Sequence, residues 1–353
     1  MDTRFSSLNQ SPPVLTIDAA APQADRIAHA ARIIRNGGLV VFPTETVYGL
    51  GANALDATAV ARIYAAKGRP MWNPVIAHVA CAADAREMVT SWTDEAERLA
   101  TTFWPGPLTL VLPKRDIVPD VATAGLPAIG VRVPHHPVAL ALLRAAGCPI
   151  AAPSANRFTQ VSPTTAQHAL ESLGDRVDLV LDGGPCDVGI ESTVLDLTGD
   201  LPAVLRPGMI TRAQIATVLG RDVLDRSERI VPADATATPQ HSPGMADRHY
   251  APRADVWLFD FGDSAEIARA MTSHRERPMS GPITALVFDT TTPTVHSGDR
   301  IVRMPTDPSL YARQLYAVLH DADAAGAAVI VIERPPHDER WAGVRNRLER
   351  SSR

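Results

Sequence analysis

The chain has 353 residues, an apolar share of 45% and a formal net charge of −5. This length allows about two or three domains with a substantial buried core, and the negative charge argues against a protein that coats nucleic acid nonspecifically. The opening stretch MDTRFSSLNQSPPVL lacks a signal-type apolar segment, and no apolar run reaches the length of a membrane span. Three scattered cysteines without a CxxC pair favour free, buried thiols. These features predict a cytoplasmic enzyme.

Strand-like and helix-like segments alternate along the chain, which predicts an α/β fold with a twisted mixed sheet and a ligand cleft. A strand VLTID, an amphipathic helix near 22–35 and a strand LVVFP come first. Further helices are predicted near 94–103, 137–146, 164–173 and 211–219, and further strands at PVIAHV, LTLVLP, IGVRVP, PIAAPS, VDLVLDGG, STVLDL and AVLRP. Several neighbouring segments are joined too tightly for parallel crossovers, so the sheet is expected to be mixed.

The periodic pattern fades after residue 219 into a stretch rich in Asp, Thr, Ser and Pro, which predicts a linker at 220–253. Beyond it, ADVWLFDF, SAEIARAM, ITALVFD, a helix near 309–325, AAVIVIERP and a final helix predict a small Rossmann-like α/β domain at 254–353. We therefore expect a flexible segment at 1–20, a catalytic domain at 21–219, the linker and the C-terminal domain.

The most informative stretch is PTETVYGLGANALDATAVARIYAAKGRPMWNPVIAH, at 43–78. A glycine-rich polar turn follows an apolar strand, which places side chains at a strand end where open α/β sheets bind ligands. Gly68 suits a helix C-terminus, and Pro70 prevents the helix from continuing. Because the helix ends between Lys67 and Arg69, outside the core, these two cations are expected to converge on one anionic group.

A second polar cluster lies in PIAAPSANRFTQVSPTTA, at 149–166. Ser154 and Asn156 are two apart on predicted extended chain, so their side chains are expected to face the same way. Ser162 precedes a proline, the arrangement typical of a helix N-cap, and helix N-termini bind anions. Arg132 in IGVRVP and Arg206 in VLRPG add cations. Together these segments predict a site for a phosphate ester.

Other motifs in the chain are weaker. GLGANA fits the GxGxxA dinucleotide pattern, but basic KGR stands where the ribose-binding acid should be, and no GxxxxGK[ST] phosphate loop is present. His241 and His249 lack cysteine or carboxylate partners, so no metal site is predicted. Taken alone, His78 would be typical of a buried core histidine. Arg132 alone would be typical of an exposed strand charge.

The motifs carry a family resemblance in their order and spacing. PTETVYGLG, KGRP followed by NP and H, VRVP, PSAN with a later SPTTA, STVLDL and LRPG resemble the YrdC-like threonylcarbamoyl-AMP synthases, and SPGMADRHYAP resembles the linker of their long two-domain form. The resemblance covers about residues 30–252. It implies an enzyme that joins L-threonine, bicarbonate or CO2 and ATP into threonylcarbamoyl-adenylate and releases pyrophosphate. The product would serve N6-threonylcarbamoyladenosine modification of tRNA.

The resemblance also implies roles for individual residues. The implied ATP-binding residues are Lys67, Arg69, Asn73, Ser154, Asn156, Ser162, Arg206 and Tyr250, and the implied threonine-binding residues are Thr46, His78, Arg132, Ala152 through its backbone, and Ser192. Lys67 and Arg69 are predicted to be catalytic, because they would hold the triphosphate. Mg2+ is expected to arrive with ATP and not at a protein metal site. Ala128 and the pair Ala246-Asp247 depart from the family pattern, which usually has a hydroxyl residue and a basic-aromatic pair there.

Two alternatives stay open at this point. Another YrdC-like carbamoyl-transferring enzyme would need the long, cysteine-rich zinc segments of the hydrogenase-maturation type, which three scattered cysteines do not supply. A non-catalytic RNA-binding module is disfavoured by the few aromatics and the lack of a stacking motif. The product would pass to the tRNA threonylcarbamoyl-transfer machinery. A weak tRNA contact stays open, and no membrane partner is expected.

The linker motif Ser242 to Pro252 contains Met245, His249 and Tyr250, which are unusual in a merely solvated tether. We therefore expect it to fold over the nucleotide site as a lid that excludes water.

Overall fold

A computed structural model of the protein describes residues 11–225, 249–277, 281–289 and 298–352. Residues 1–10, half of the predicted flexible N-terminal segment, and most of the SPGMADRHYAP motif, including Ala246 and Asp247, lie outside the described residues. The strands are β1 (Val14–Thr16), β2 (Val40–Phe42), β3 (Gly49–Asn53), β4 (Ile76–His78), β5 (Leu108–Pro113), β6 (Ala128–Arg132), β7 (Ile150–Ala151), β8 (Leu179–Asp182), β9 (Thr193–Asp196), β10 (Ala203–Arg206), β11 (Leu224–Asp225), β12 (Asp255–Phe259), β13 (Ile283–Val287), β14 (Arg300–Arg303) and β15 (Val329–Glu333).

The helices follow the pattern expected from the sequence, with two additional short ones. They are α1 (Ala24–Arg35), α2 (Ala57–Lys67), α3 (Ala82–Arg86), α4 (Asp94–Phe103), α5 (Asp120–Thr123), α6 (Pro137–Ala146), α7 (Ala166–Leu173), α8 (Arg212–Leu219), α9 (Ser264–Arg275), α10 (Pro308–Ala324) and α11 (Ala342–Ser351). None of these described helices is both long and apolar enough to span a membrane.

The first domain is built on a large mixed sheet, as predicted. Its strand order, within the described residues, is β1-β8-β2-β3-β7-β4-β6-β5-β9-β10-β11. Strands β2 and β3 are antiparallel neighbours, whereas β4 and β6 are parallel. Strand β11 lies inside the predicted linker and pairs with β10, so the described start of that segment extends the sheet.

The glycine-rich stretch that follows β2 is a strand and not simply a polar turn. The turn spans 43–48, and β3 then returns antiparallel to β2, with Phe42 opposite Gly49. A Cβ atom at Gly51 would lie 2.8 Å from the Phe42 ring and 2.9 Å from Ile150. The glycines therefore allow a close approach of neighbouring side chains within the sheet, which a dinucleotide-binding turn would not require.

The helix start predicted at Ser162 is wrong. Helix α7 begins at Ala166, and its N-cap is Thr165, whose hydroxyl accepts a hydrogen bond from the His168 amide at 3.2 Å. The Ser162 hydroxyl instead donates to Glu191 Oε1 at 2.5 Å. A buried carboxylate is a stronger acceptor for this hydroxyl than a neutral partner, so Ser162 becomes part of a tertiary contact.

The second domain has a four-stranded parallel sheet in the order β12-β15-β13-β14, within the described residues. This arrangement agrees with the predicted small Rossmann-like domain, to which the structure adds β14. The domain shares an apolar cluster with the first one. Val47, Val161 and Ile190 of the first domain pack with Tyr316 of α10 and Leu348 of α11. Two helices of the second domain therefore lie against segments that carry predicted site residues.

Candidate active site

Helix α2 ends where the sequence predicts, and its end aims Lys67 into the protein. Asp56 caps the N-terminus, and Gly68 adopts a left-handed conformation with φ of 60° at the C-terminus. The Lys67 ammonium donates to the carbonyl oxygen of Ser154 at 2.5 Å and also to that of Asn156. Lys67 is 2% exposed, so the expectation that this residue lies outside the core is wrong.

Arg69 is also buried, and Asn73 holds it in place. The Arg69 side chain donates to the Asn73 carbonyl oxygen at 3.1 Å and to Asn73 Oδ1 at 2.6 Å. A further bond joins it to the Pro74 carbonyl oxygen at 2.8 Å. Asn73 is therefore a scaffold for the guanidinium, because its oxygens orient Arg69 towards the protein interior.

The loop after β7 brings Ser154 to the site, and the Asn156 side chain hydrogen-bonds within this loop. Ser154 pairs with Gly49 through a backbone bridge. The Asn156 side-chain nitrogen donates to the carbonyl oxygens of Arg157 and Gln160, both at 2.8 Å. The amide nitrogen of Asn156 therefore stabilises its own loop, and its Oδ1 atom is buried without a hydrogen-bond partner among the described residues. Its backbone carbonyl nevertheless contacts Lys67.

These segments enclose a small cavity of ≈ 40 Å³. It is lined by Val47, Arg69, Ile76, Ala152, Pro153, Ser154, Glu191, Arg206, His249 and Tyr250. Tyr250 is 1% exposed and has a φ of 61°. Pockets for organic ligands usually measure about 300–1,000 Å³, so this cavity, in whose wall His249 and Tyr250 lie, is much smaller than such a pocket.

Positive charge exceeds negative charge in and around this cavity. Lys67, Arg69, Arg206 and Arg347 are all buried, and Glu191 is the buried carboxylate that faces them among the described residues. Burial, followed by the Arg69 charge, lowers the pKa of Lys67 well below its usual value. Burial lowers the pKa of Arg69 to about 10. Burial is the main cause of both shifts, and repulsion from the neighbouring cations adds to it.

Glu191 is the anionic centre of this cluster. Burial alone would raise its pKa, but Arg347, Arg206 and the Ser162 hydroxyl lower it to about 2. The carboxylate is therefore charged at neutral pH, and it balances part of the cationic cluster. Neither Glu191 nor Arg347 was predicted from the sequence as a site residue.

A second group of predicted residues meets where the turn after β2 reaches strand β6. Arg132 Nη2 lies 2.7 Å from Glu45 Oε1 and donates to the Thr46 hydroxyl at 3.1 Å. Arg132 is 3% exposed and Glu45 is 3% exposed, so Arg132 is a buried ion-paired residue and not an exposed strand charge. Glu45 belongs to the PTETVYGLG motif, but it was not predicted as a site residue.

The pairing of strands β4 and β6 places His78 directly opposite Arg132. Burial, followed by the Arg132 charge, lowers the pKa of His78 to about 3. The imidazole is therefore neutral at physiological pH. It packs edge-on against Phe42, with 6.3 Å between ring centroids. A neutral ring beside Arg132 adds a hydrogen-bonding group without competing for an anionic ligand.

The two other residues predicted to bind threonine are Ala152 and Ser192. The Ala152 amide donates to the Ile76 carbonyl oxygen at 3.0 Å, so a ligand contact through its backbone would have to use the carbonyl oxygen. The Ser192 hydroxyl lies 2.8 Å from that of Thr109. Arg206 Nε donates to the Ser192 carbonyl oxygen at 3.1 Å. Ser192 therefore touches a residue of the cationic cluster directly.

Three other features from the sequence analysis can be located in the described part of the chain. Ala128, at the start of β6, lines a separate cavity of ≈ 30 Å³ that contains none of the predicted site residues. The cysteines are free, but Cys186 is the buried one, Cys148 is half-buried and Cys81 is exposed. Among the described residues, no group of three or more His, Cys, Asp or Glu side chains could hold a metal ion.

Comparison with known proteins places the chain in a family. The family model Sua5_yciO_yrdC, described as "Telomere recombination", matches residues 32–208. The model Sua5_C, described as "Threonylcarbamoyl-AMP synthase, C-terminal domain", matches residues 210–352. The chain belongs to the Sua5 family of threonylcarbamoyl-AMP synthases.

Two curated members of the family resemble the chain over nearly its whole length. The threonylcarbamoyl-AMP synthase of Pyrococcus abyssi is 41% identical over 93% of this chain and 94% of its own. That of Bacillus subtilis is 38% identical over 95% of each. A crystal structure of P. abyssi Sua5 complexed with L-threonine matches with a TM-score of 0.86 and 38% identity, covering 96% of this chain and 97% of that one. The two-domain architecture is therefore that of the Sua5 family.

Proposed function

We propose that this protein is a threonylcarbamoyl-AMP synthase that forms threonylcarbamoyl-adenylate from L-threonine, bicarbonate or CO2 and ATP and releases pyrophosphate. The observation that carries this proposal is the buried cationic cluster. Lys67, Arg69, Arg206 and Arg347 face the single carboxylate of Glu191 among the described residues. A bound polyphosphate would supply the negative charge that the cluster lacks.

The cluster suits phosphoryl-type transfer, which depends mainly on positioning and on neutralisation of charge. We assign Lys67 and Arg69 to the triphosphate, with Arg206 and Ser154 at the same cavity. Asn73 and Asn156 contribute by orienting Arg69 and the loop that Lys67 contacts. Ser162 acts through Glu191.

We assign the neighbouring group of Arg132, Thr46 and His78 to L-threonine. A guanidinium suits a substrate carboxylate because its donors match the two oxygens. Glu45 holds the Arg132 head group from the opposite side. The Ala152 carbonyl and the Ser192 hydroxyl complete the assignment. P. abyssi Sua5, whose fold this chain shares, has been crystallised with L-threonine.

The reaction itself needs no nucleophilic side chain. The threonine amine adds to CO2, or to bicarbonate with loss of water, and gives a carbamate. A carbamate oxygen then forms a bond to the α-phosphorus of ATP, and the bond from that phosphorus to the leaving pyrophosphate oxygen breaks in line. The protein contributes proximity and charge stabilisation, because Arg206 contacts Ser192 and so joins the two substrate groups.

We propose that Mg2+ arrives with ATP as its counter-ion. The described residues hold no carboxylate cluster for a resident metal, and Glu191 is already engaged by Ser162, Tyr316 and Arg347. Mg2+ commonly keeps several waters and relies on substrate phosphates.

Nucleotide entry requires a movement of the linker end, because the cavity of ≈ 40 Å³ is closed by His249 and Tyr250. The linker end would then act as the predicted lid, of which residues 242–248 lie outside the described ranges. We place the enzyme in the cytoplasm, where the product would pass to the tRNA threonylcarbamoyl-transfer machinery.

Pyrophosphate release tests the proposed function. We expect release from purified protein only when ATP, L-threonine and bicarbonate are all present, together with a product of the mass of threonylcarbamoyl-adenylate. Each substrate at about a hundred times its Kd should also stabilise the fold by about 2.7 kcal/mol. Release without threonine, or tRNA binding without any turnover, would contradict the proposal and favour a different enzyme or an RNA-binding module.

A further inference from the structure

The segment just before strand β9 carries two adjacent residues with different partners. Ser192 contacts Arg206 and Thr109 within the first domain. Glu191 is 7% exposed, and the Ser162 hydroxyl of its own domain donates to its carboxylate. Tyr316 and Arg347 of the second domain also donate to this carboxylate. The position of this segment therefore depends on both domains.

Arg347 of helix α11 supplies most of these second-domain contacts. Its Nε donates to Glu191 Oε2 at 2.7 Å, and its Nη2 donates to the Glu191 carbonyl oxygen at 3.1 Å. Its Nη1 donates to the Pro207 carbonyl oxygen at 2.8 Å. One planar guanidinium thus joins the residue before Ser192 to the residue after Arg206.

The close approach of helix α11 is built into the backbone. Gly343 lies one turn before Arg347 on the same helix face. A Cβ atom at Gly343 would lie 2.7 Å from the carbonyl oxygen of Gly208. This glycine brings the helix near enough for Arg347, which is 1% exposed, to reach across the domain boundary.

Helix α10 of the second domain also contacts the segment just before strand β9. Tyr316 of α10 donates to Glu191 Oε2 at 3.1 Å. A Cβ atom at Gly189 would lie 2.4 Å from the carbonyl oxygen of Ala312 in α10, so backbone meets backbone there. Arg347 also lies 5.2 Å from the ring centroid of Tyr250, which lines the cavity.

We propose that Arg347 is a positioning residue for the synthase reaction, which fixes Ser192 and Arg206 relative to one another through Glu191 and Pro207. This inference rests on the proposed function. It gives the second domain a defined part in the active site, because the guanidinium that aligns the threonine and triphosphate groups comes from its last helix. Arg347 itself touches neither substrate in this arrangement.

The test compares full-length Arg347→Lys and Arg347→Met with the parent enzyme in pyrophosphate release and in direct L-threonine binding by calorimetry. Lysine keeps the positive charge but lacks the planar guanidinium that donates to the Glu191 carboxylate, the Glu191 carbonyl and the Pro207 carbonyl. We expect both variants to lose turnover, methionine by about 100-fold, because small misplacements of reacting groups are costly. Threonine affinity should fall as well, through Ser192. Unchanged kcat and KM in Arg347→Met would overturn the inference.

A double variant that removes both charges of the Glu191–Arg347 ion pair distinguishes a positioning role of Arg347 from a purely structural one. Arg347→Met removes the guanidinium that forms an ion pair with the buried Glu191 carboxylate, which destabilises a fold strongly, whereas Glu191→Gln combined with Arg347→Met removes both charges of this pair. We expect this double variant to regain thermal stability without regaining kcat. Recovery of both together would show that Arg347 serves stability alone.

Arg313→Gln provides the matched control. Arg313 of α10 makes an exposed ion pair at 3.4 Å with Asp187, in the same interface but at the surface. We expect it to retain activity, because exposed pairs contribute little. A loss equal to that of Arg347→Met would point to general loosening of the interface and overturn the specific role. A parent enzyme without threonine-dependent turnover would instead remove the proposed function, and this inference with it.

Discussion

The Lys67 ammonium lies 2.5 Å from the carbonyl oxygen of Ser154, so a predicted phosphate-binding cation also holds the backbone of a second predicted site segment. It contacts the Asn156 carbonyl oxygen as well. These contacts satisfy the charge of Lys67 only in part, because carbonyl oxygens carry partial charges, and burial lowers its pKa. An arriving triphosphate would therefore compete for an ammonium that is already positioned.

Replacement of this ammonium should affect catalysis more than it affects the fold. We expect Lys67→Met to reduce pyrophosphate release by about 100- to 1,000-fold, the range seen when one preorganised donor to a developing charge is lost. The thermal midpoint should fall by a few degrees, because two buried carbonyls lose a donor. Steady-state turnover and thermal unfolding of the same samples measure both effects.

Arg62→Met is the matched control for Lys67→Met. Arg62 lies on the same helix, and its side chain is 45% exposed in an ion pair with Asp178. This variant should retain turnover. Equal losses in the two variants would mean that helix α2 is merely destabilised and that Lys67 has no specific role.

A substitution of Arg132 tests the proposed threonine-binding residues separately from the proposed ATP-binding residues. We expect Arg132→Lys to raise the KM for L-threonine by about 10- to 100-fold, because a charged hydrogen bond is worth about 1.5–3 kcal/mol, and to leave the KM for ATP nearly unchanged. Lysine keeps a positive charge beside Glu45 but loses the planar fork. Weaker ATP use with unaltered threonine use would contradict the carboxylate assignment.

The sequence predicted the elements whose ends carry local signals. Helix α6 coincides with its prediction at 137–146, because His136 caps it, proline occupies its first turn and Gly147 ends it in a left-handed conformation. Helix α4 likewise coincides with 94–103, since the Thr93 hydroxyl accepts from the Ala96 amide at 3.2 Å. Caps and periodicity act within a few residues of the chain, so a single sequence contains them.

Features that depend on distant contacts were missed or misplaced. Strand β3 was hidden by its glycines, which are needed because the Phe42 ring lies against them. Ser162 does not cap the helix, because its hydroxyl donates to Glu191, a residue 29 positions away. Arg347 is one of several arginines in GVRNRLERSSR, and periodicity does not distinguish it as the buried one. All three features depend on tertiary packing and not on local propensity.

Stability should fall in mild acid because of a histidine pair between the domains. His168 of α7 stacks on His320 of α10 with 3.9 Å between ring centroids. Burial, followed by the charge of His320, lowers the pKa of His168 to about 4, and burial also lowers that of His320. Glu171 and Asp321 face His168 and act in the opposite direction.

The sign follows from proton linkage. The unfolded chain, with a histidine pKa of about 6.5, binds more protons than the folded one between about pH 6.5 and pH 4, so the free energy of unfolding falls as the pH drops through this range. Urea unfolding at several pH values measures the slope. His168→Gln cannot titrate and should make the slope shallower, whereas an identical slope would exclude His168 as a source of the effect.

Tyr250 provides the sharpest test of the closed cavity. Among the described residues its buried hydroxyl has no hydrogen-bond partner, so the ring and not the hydroxyl closes the site. Tyr250→Phe should therefore match the parent enzyme. Tyr250→Ala should open the cavity to water, and hydrolysis of the mixed anhydride should then lower the yield of threonylcarbamoyl-adenylate per pyrophosphate released. Chromatographic quantification of both products gives this ratio.

Limited proteolysis of the linker should slow when ATP and threonine are added to the parent but not to Tyr250→Ala. Equal ratios and equal cleavage in all three proteins would contradict the lid.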